Sequence, residues 1–156
     1  SLLDGLMSTG DTVTFRTYVV KKTADGYEVT TQSTDEHLGN TYAFWGKARP
    51  GPTGKVWRTA YSVETSPNFQ SALYESSDGG VTMAFKSTVF AAAGVDFTEA
   101  DFFHVAGTTW YAIGRQGGSS QRPYHSTSTD DGATWAAPVQ FGVGTISDGR
   151  QPSSFW

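Results

Sequence analysis

Cysteine is absent from this chain of 156 residues, and with it go disulfide scaffolds, thiol catalysis and every cysteine-based zinc site. Basic residues are in deficit, 11 Lys+Arg against 15 Asp+Glu for a net charge of −4. Duplex nucleic acid is therefore not expected as the main partner, because binding by counterion release needs a cationic surplus, although a small basic groove is compatible with this balance. No run of 18 apolar residues occurs, which excludes a membrane-spanning helix, so no membrane insertion is expected. An apolar content of 37% is nonetheless enough for a soluble core of about one domain, and it is not the composition of a disordered tail. No basic segment followed by an apolar one opens the chain, so either no secretory signal was present or the start is a processed or cloned boundary, and Ser1-Leu2-Leu3-Asp4 reads as such a cut. His37, His104 and His125 lack metal-ligand spacing, and Gly117-Gly118 and Gly142-Val143-Gly144 fail the phosphate-loop patterns. No metal and no cofactor is expected.

Helix signals are also scarce. The weak candidate is Ser87 to Ala93, where Ala91-Ala92-Ala93 is ended by Gly94. What fills the chain is all-β grammar, short segments rich in Thr, Val and aromatics bounded by Gly, Asp, Ser and Pro. Strands are predicted at Thr12 to Val20, Tyr27 to Thr31, Thr41 to Ala48, Val56 to Val63, Ala72 to Glu75, Thr82 to Thr88, Phe102 to Val105, Thr109 to Ile113, Tyr124 to Ser128 and Thr134 to Val139. The first two are joined in a hairpin by Ala24-Asp25-Gly26.

An internal repeat organises these strands. Ser76-Ser77-Asp78-Gly79-Gly80-Val81-Thr82-Met83 and Ser128-Thr129-Asp130-Asp131-Gly132-Ala133-Thr134-Trp135 share the pattern S-x-D-x-G-x-T followed by a large side chain, and their aspartates lie 52 residues apart. Thr23-Ala24-Asp25-Gly26 reads as a degenerate third copy near 23–30, with Asp25 a further 53 residues upstream. That period is about one four-stranded propeller blade. The residue types describe a self-sealing hairpin turn, in which Ser and Asp side chains take up turn N–H groups, Gly supplies a positive φ, and Met83 or Trp135 tucks beneath. Asp78 and Asp130 are thus expected to be architectural.

These octapeptides resemble the Asp-box, or BNR repeat, of the sialidase superfamily. A second likeness is the run from Glu99 through Ala100-Asp101-Phe102-Phe103-His104-Val105-Ala106-Gly107-Thr108-Thr109-Trp110-Tyr111-Ala112-Ile113-Gly114 to Arg115. It is similar to the sialidase layout in which a glutamate precedes a central arginine by about 16 residues, across a hairpin. The resemblance implies an all-β, Asp-box β-propeller of sialidase type, with residues 1–156 a single segment covering about three blades. It implies Glu99 as base or charge-stabilising group and Arg115 as a clamp on the sugar carboxylate, since a guanidinium grips a carboxylate through two parallel hydrogen bonds. The family's tyrosine nucleophile departs from the usual pair of glycosidase carboxylates, and no tyrosine of this chain is assigned to that role.

Further arginines follow the family only loosely. Phe15-Arg16-Thr17-Tyr18 matches the first two positions of the Tyr/Phe-Arg-Ile-Pro strand, so Arg16 reads as an ordinary strand arginine, and Arg150 precedes the place where another family arginine is expected. Arg58, Arg122 and Arg150 are candidate substrate binders beside Arg115. A polyanionic substrate asks that Lys47, Arg49, Lys55, Arg58, Arg115 and Arg122 share a face. Trp110-Tyr111, with Trp45 and Trp57, read as core packing or as a sugar-stacking surface.

The implied activity is a glycoside hydrolase acting on sialylated glycan. Absent cysteine, abundant Thr, Gly and Ser and long loops are in keeping with the bacteriophage tailspike endosialidases, which cleave polysialic acid. The alternatives are a non-catalytic propeller binding glycan or protein and a structural segment of a larger spike. Three blades leave open edges, so the rest of the ring is expected from further chain or from other copies, a homotrimer among them. The partial blade at each end, with Pro152-Ser153-Ser154-Phe155-Trp156 opening a new one, favours the excerpt. An extracellular or virion-associated location follows from the resemblance alone.

Overall fold

The computed structural model describes residues 3–9, 12–31, 33–34, 42–62, 69–118 and 122–141. They form twelve strands and no α-helix: β1 (Leu3–Thr9), β2 (Thr12–Thr23), β3 (Gly26–Thr31), β4 (Ser33–Thr34), β5 (Tyr42–Pro50), β6 (Val56–Ser62), β7 (Ser71–Ser76), β8 (Thr82–Phe90), β9 (Phe97–Ala106), β10 (Thr109–Gln116), β11 (Pro123–Ser128) and β12 (Val139–Gln140). Three sheets result, ordered β1-β2-β3, β4-β8-β7-β6-β5 and β12-β11-β10-β9. Every pairing is antiparallel except that of β4 with β8. Strands β5 to β8 and β9 to β12 are thus two successive four-stranded meanders, and the fold is all-β as expected.

The two octapeptides join the third and fourth strands of their meanders and are sealed alike. Ser76 Oγ accepts from Gly80 N at 2.7 Å and Ser128 Oγ from Gly132 N at 2.9 Å. The Asp78 carboxylate takes Thr82 N at 2.9 Å and Thr82 Oγ1 at 2.7 Å, and Asp130 takes Thr134 N at 2.9 Å and Thr134 Oγ1 at 2.6 Å. These bonds hold both carboxyls down to about 2, with the Thr82 N–H leading at Asp78 and the Thr134 hydroxyl at Asp130. Two consecutive residues take positive φ in each turn, Gly79 and Gly80 in one and Asp131 and Gly132 in the other. Thr23 to Gly26 is different. Thr23 pairs directly with Gly26, so Ala24 and Asp25 form an ordinary two-residue hairpin turn, and Asp25 makes no side-chain bond to a described residue.

Two other expectations are corrected. Ser87–Phe90 completes strand β8 instead of starting a helix, because Thr88 and Phe90 pair with Ala72 and Ser71, and a tight turn at Gly94 with φ 73° follows. The strand expected at Thr134 to Val139 begins only at Val139. Thr134 N is committed to Asp130, and Pro138 has no N–H to give a ladder.

The main core lies between the meanders, where Trp57, Leu73, Val89 and Phe90 of the first meet Phe97, Ala100, Phe102, Trp110 and Ala112 of the second. Trp57 and Trp110 approach to 4.5 Å between ring centroids. Polar pins cross the same interface. Thr59 Oγ1 donates to Ala100 O at 2.5 Å and Ser71 Oγ to Thr98 O at 2.7 Å, while Arg49 grips Asp101 through Nε at 3.0 Å and Nη2 at 2.6 Å. A second cluster, Phe44, Ala60, Ala72, Tyr74 and Met83, covers the far face of the first meander.

Candidate active site

Strands β9 and β10 form a hairpin that turns at Gly107, which has φ 55°. Its antiparallel register sets Ala100 opposite Gly114, and an irregularity follows between Gly114 and Gln116. The start of β9 and the end of β10 therefore coincide, and the two charged residues 16 positions apart in sequence meet there. Arg115 Nε donates to Glu99 Oε2 at 2.5 Å, with the two side chains 14% and 12% exposed. Glu99 is the third residue of its strand and Arg115 the penultimate residue of its own. The Nη nitrogens of Arg115 make no hydrogen bond to a described residue.

The surrounding rim is held by backbone bonds. Phe97 N donates to Phe69 O at 2.9 Å, Gly117 N to Asp96 O at 2.7 Å, and Asp96 Oδ1 accepts from Phe69 N at 2.9 Å. Asp96 thereby ties the lead into β7 to the lead into β9 and to the exit of β10.

Tyr61 joins this pair from the preceding meander, and sequence reasoning missed it. The phenol is half-buried, and its pKa is raised, first by burial and then by the negative field of Glu99, with Arg115 opposing. Contacts across the core explain its position. Thr59 lies against Ala100, and Ser71, the ladder partner of Tyr61, lies against Thr98, so the end of β6 reaches the start of β9.

The other basic candidates do not converge. Arg58 is 3% exposed and lies on the opposite face of β6 from Trp57 and Thr59, its guanidinium 5.0 Å above the Phe44 ring, and burial lowers its pKa. It packs against Phe44 of the second core cluster. Arg122 stands at the same end of the blade as Arg115, since Gln116 N donates to Arg122 O at 2.9 Å, but its side chain is directed to Gln140 Oε1 at 3.2 Å. Arg49 is engaged by Asp101, and Lys55 by Glu75 at 2.5 Å. Arg150, the side chain of Arg16, and the segment 152–156 lie outside the described residues.

Trp57 and Trp110 are core residues, 0% and 5% exposed. Tyr111 faces the other way and stacks on His125 at 5.3 Å, and the Trp45 side chain lies outside those described. His104 is exposed, with Nε2 2.8 Å from Gly107 O. Among the described residues no group of three His, Asp or Glu side chains is placed to hold a metal ion.

Solved structures share this architecture. A protein of unknown function from Dyadobacter fermentans matches over 91% of this chain at a TM-score of 0.72 and 18% identity. The NanB sialidase from Streptococcus pneumoniae, in complex with 2-[(3-chlorobenzyl)ammonio]ethanesulfonate, matches over 81% of the chain at a TM-score of 0.55 and 17% identity. Its K499G mutant matches at 0.54 and 19% over the same share. The fold is that of a sialidase-like β-propeller. This chain spans 43% of the Dyadobacter chain and 18% of the NanB chains, so it is similar to part of each. No family model and no curated protein matches it.

Proposed function

We propose that this chain supplies part of the funnel of a sialidase-type glycoside hydrolase acting on sialylated glycan. The observation that carries the reading is the Glu99–Arg115 pair at the start of β9 and the end of β10. Anchored through Nε, the Arg115 guanidinium keeps its Nη nitrogens for two parallel bonds to a carboxylate, a geometry that lysine cannot reproduce. Glu99 holds that fork in place and puts a carboxylate beside the position where an oxocarbenium-like centre develops. The two sealed octapeptide turns, which have the features of Asp-boxes, add support as scaffold and take no part in the chemistry.

The narrower proposal is endo-cleavage of polysialic acid by a virion-associated tailspike. It rests on the cysteine-free, Thr-, Gly- and Ser-rich composition, and it places the protein outside the cell, with the remaining blades supplied by further chain or by other copies. Hydrolysis of polysialic acid and of a short sialoside by the full polypeptide that contains this chain separates the possibilities. Oligomeric products support the narrower form, monomeric sialic acid supports exo-cleavage, and binding without turnover identifies a glycan-binding propeller in which Glu99 only orients Arg115.

A further inference from the structure

The two meanders can be compared position by position. In the first, Val56 to Tyr61 pair with Ser76 to Ser71; in the second, Trp110 to Arg115 pair with Ser128 to Pro123. Ser76 and Ser128 open the two equivalent turns, so the ladders align rung for rung and Tyr61 occupies in the first blade the place that Arg115 occupies in the second. Both sit at the same end of a second strand. Glu99, on the inner strand β9, is bonded by Arg115 within its own blade, and on either side of it Ala100 and Thr98 are met by Thr59 and by Ser71, the ladder partner of Tyr61, from the blade before.

We propose that Tyr61 is a ligand-contacting residue of this site, its phenolic hydroxyl hydrogen-bonding the acidic sugar that Arg115 grips. The inference rests on the sialidase-type reading and names a residue for it. A half-buried hydroxyl beside a carboxylate–guanidinium pair can donate to an anionic ligand without bringing a charge of its own. The raised pKa of the phenol keeps it protonated, and therefore a donor, throughout the neutral range. Position supplies the specificity. A carboxylate held between adjacent blades meets a guanidinium on one side and a neutral hydroxyl on the other, so the pair selects an acidic sugar over a neutral one.

The test uses the full polypeptide and a non-hydrolysable, carboxylate-bearing sialic acid glycal, with affinity read by calorimetry and turnover by sialoside hydrolysis. Tyr61→Phe keeps the ring and its burial, and near-UV circular dichroism checks that the fold persists; Tyr61→Leu removes the hydroxyl a second way. The expected result for Tyr61→Phe is a 10- to 100-fold weaker affinity, about the worth of one hydrogen bond to a charged group, with KM raised and kcat within about threefold, as for loss of uniform binding. Unchanged affinity for Tyr61→Phe, with Arg115→Lys weakened, overturns the role of Tyr61 and leaves the sialidase-type reading standing. Intact affinity with kcat abolished also overturns it, since the hydroxyl then serves the chemistry. No binding by the unmodified protein overturns both.

Discussion

Gly132 is where the second turn touches the first blade, and its replacement by alanine tests the packing that aligns the two blades. Its φ of 71° is left-handed, and a Cβ there lies 2.9 Å from Leu73 Cδ2 and 3.0 Å from Trp57 Cη2. Both neighbours are 0% exposed, so neither can swing into solvent. The backbone conformation costs a side-chain-bearing residue about 1–2 kcal/mol, and overpacking a closed core adds about 1–3 kcal/mol. Gly132→Ala is therefore expected to lose about 2–5 kcal/mol, or about 4–20 °C in Tm for a domain of this size. Gly79→Ala is the control, because Gly79 has a similar φ of 76° but nothing within 4 Å of its Cβ. It should lose only about 1–2 kcal/mol, the backbone part of the cost. Urea unfolding at unchanged m-value measures both. If Gly132→Ala falls within about 0.5 kcal/mol of Gly79→Ala, near the additivity error of such comparisons, the turn is not seated against Trp57 and Leu73 as described.

Other outcomes follow from the same interface and turns. Ser87 Oγ donates to Gly132 O at 2.6 Å and accepts from Trp135 Nε1 at 3.2 Å; Ser87→Ala should cost about 1–3 kcal/mol by leaving both partners unmet. A double-mutant cycle with Trp135→Phe should show coupling of about 0.5 kcal/mol or more, and strict additivity would contradict the bridge. Asp78 and Asp130 titrate near 2 when folded and near 3.8 when unfolded, so the unfolded chain binds the extra protons as acid is added. The stability these two groups contribute is thus complete above about pH 4 and is lost as pH falls toward 2, and Asp130→Asn should flatten that part of an acid-unfolding curve; an unaltered curve would show the carboxylate is not bonded. Asp130→Ala should lower Tm while folded protein keeps its glycan binding, and loss of binding at unchanged Tm would contradict an architectural role.

The strand pattern and both turn motifs were legible because alternation and turn chemistry are local. The Glu99–Arg115 pairing was legible for a related reason, since a single hairpin brings the two together. Tyr61 was not, because its meeting with Glu99 crosses the interface between blades. Eight residues separate β6 from β7 and six separate β10 from β11, so the rung that matches Tyr61 to Arg115 is shifted by two in sequence. The burial of Arg58 was not legible because charge is ordinarily a surface signal, while its neighbours Trp57 and Thr59 claim the inter-blade face and turn it toward Phe44. Thr134 to Val139 looked like a strand by composition, but the Asp130 seal and Pro138 withhold the backbone groups a ladder uses.

The central claim is that the Arg115 fork, oriented by Glu99, binds the carboxylate of an acidic sugar, and Arg115→Lys in the full polypeptide tests it most directly. Lysine keeps the charge and loses the planar pair of donors. The account predicts that sialoside hydrolysis falls by about 100-fold or more in kcat/KM, the worth of a lost charged, two-point contact at the transition state, while Tm is nearly unchanged. Hydrolysis at the unmodified rate in a folded Arg115→Lys protein would contradict it.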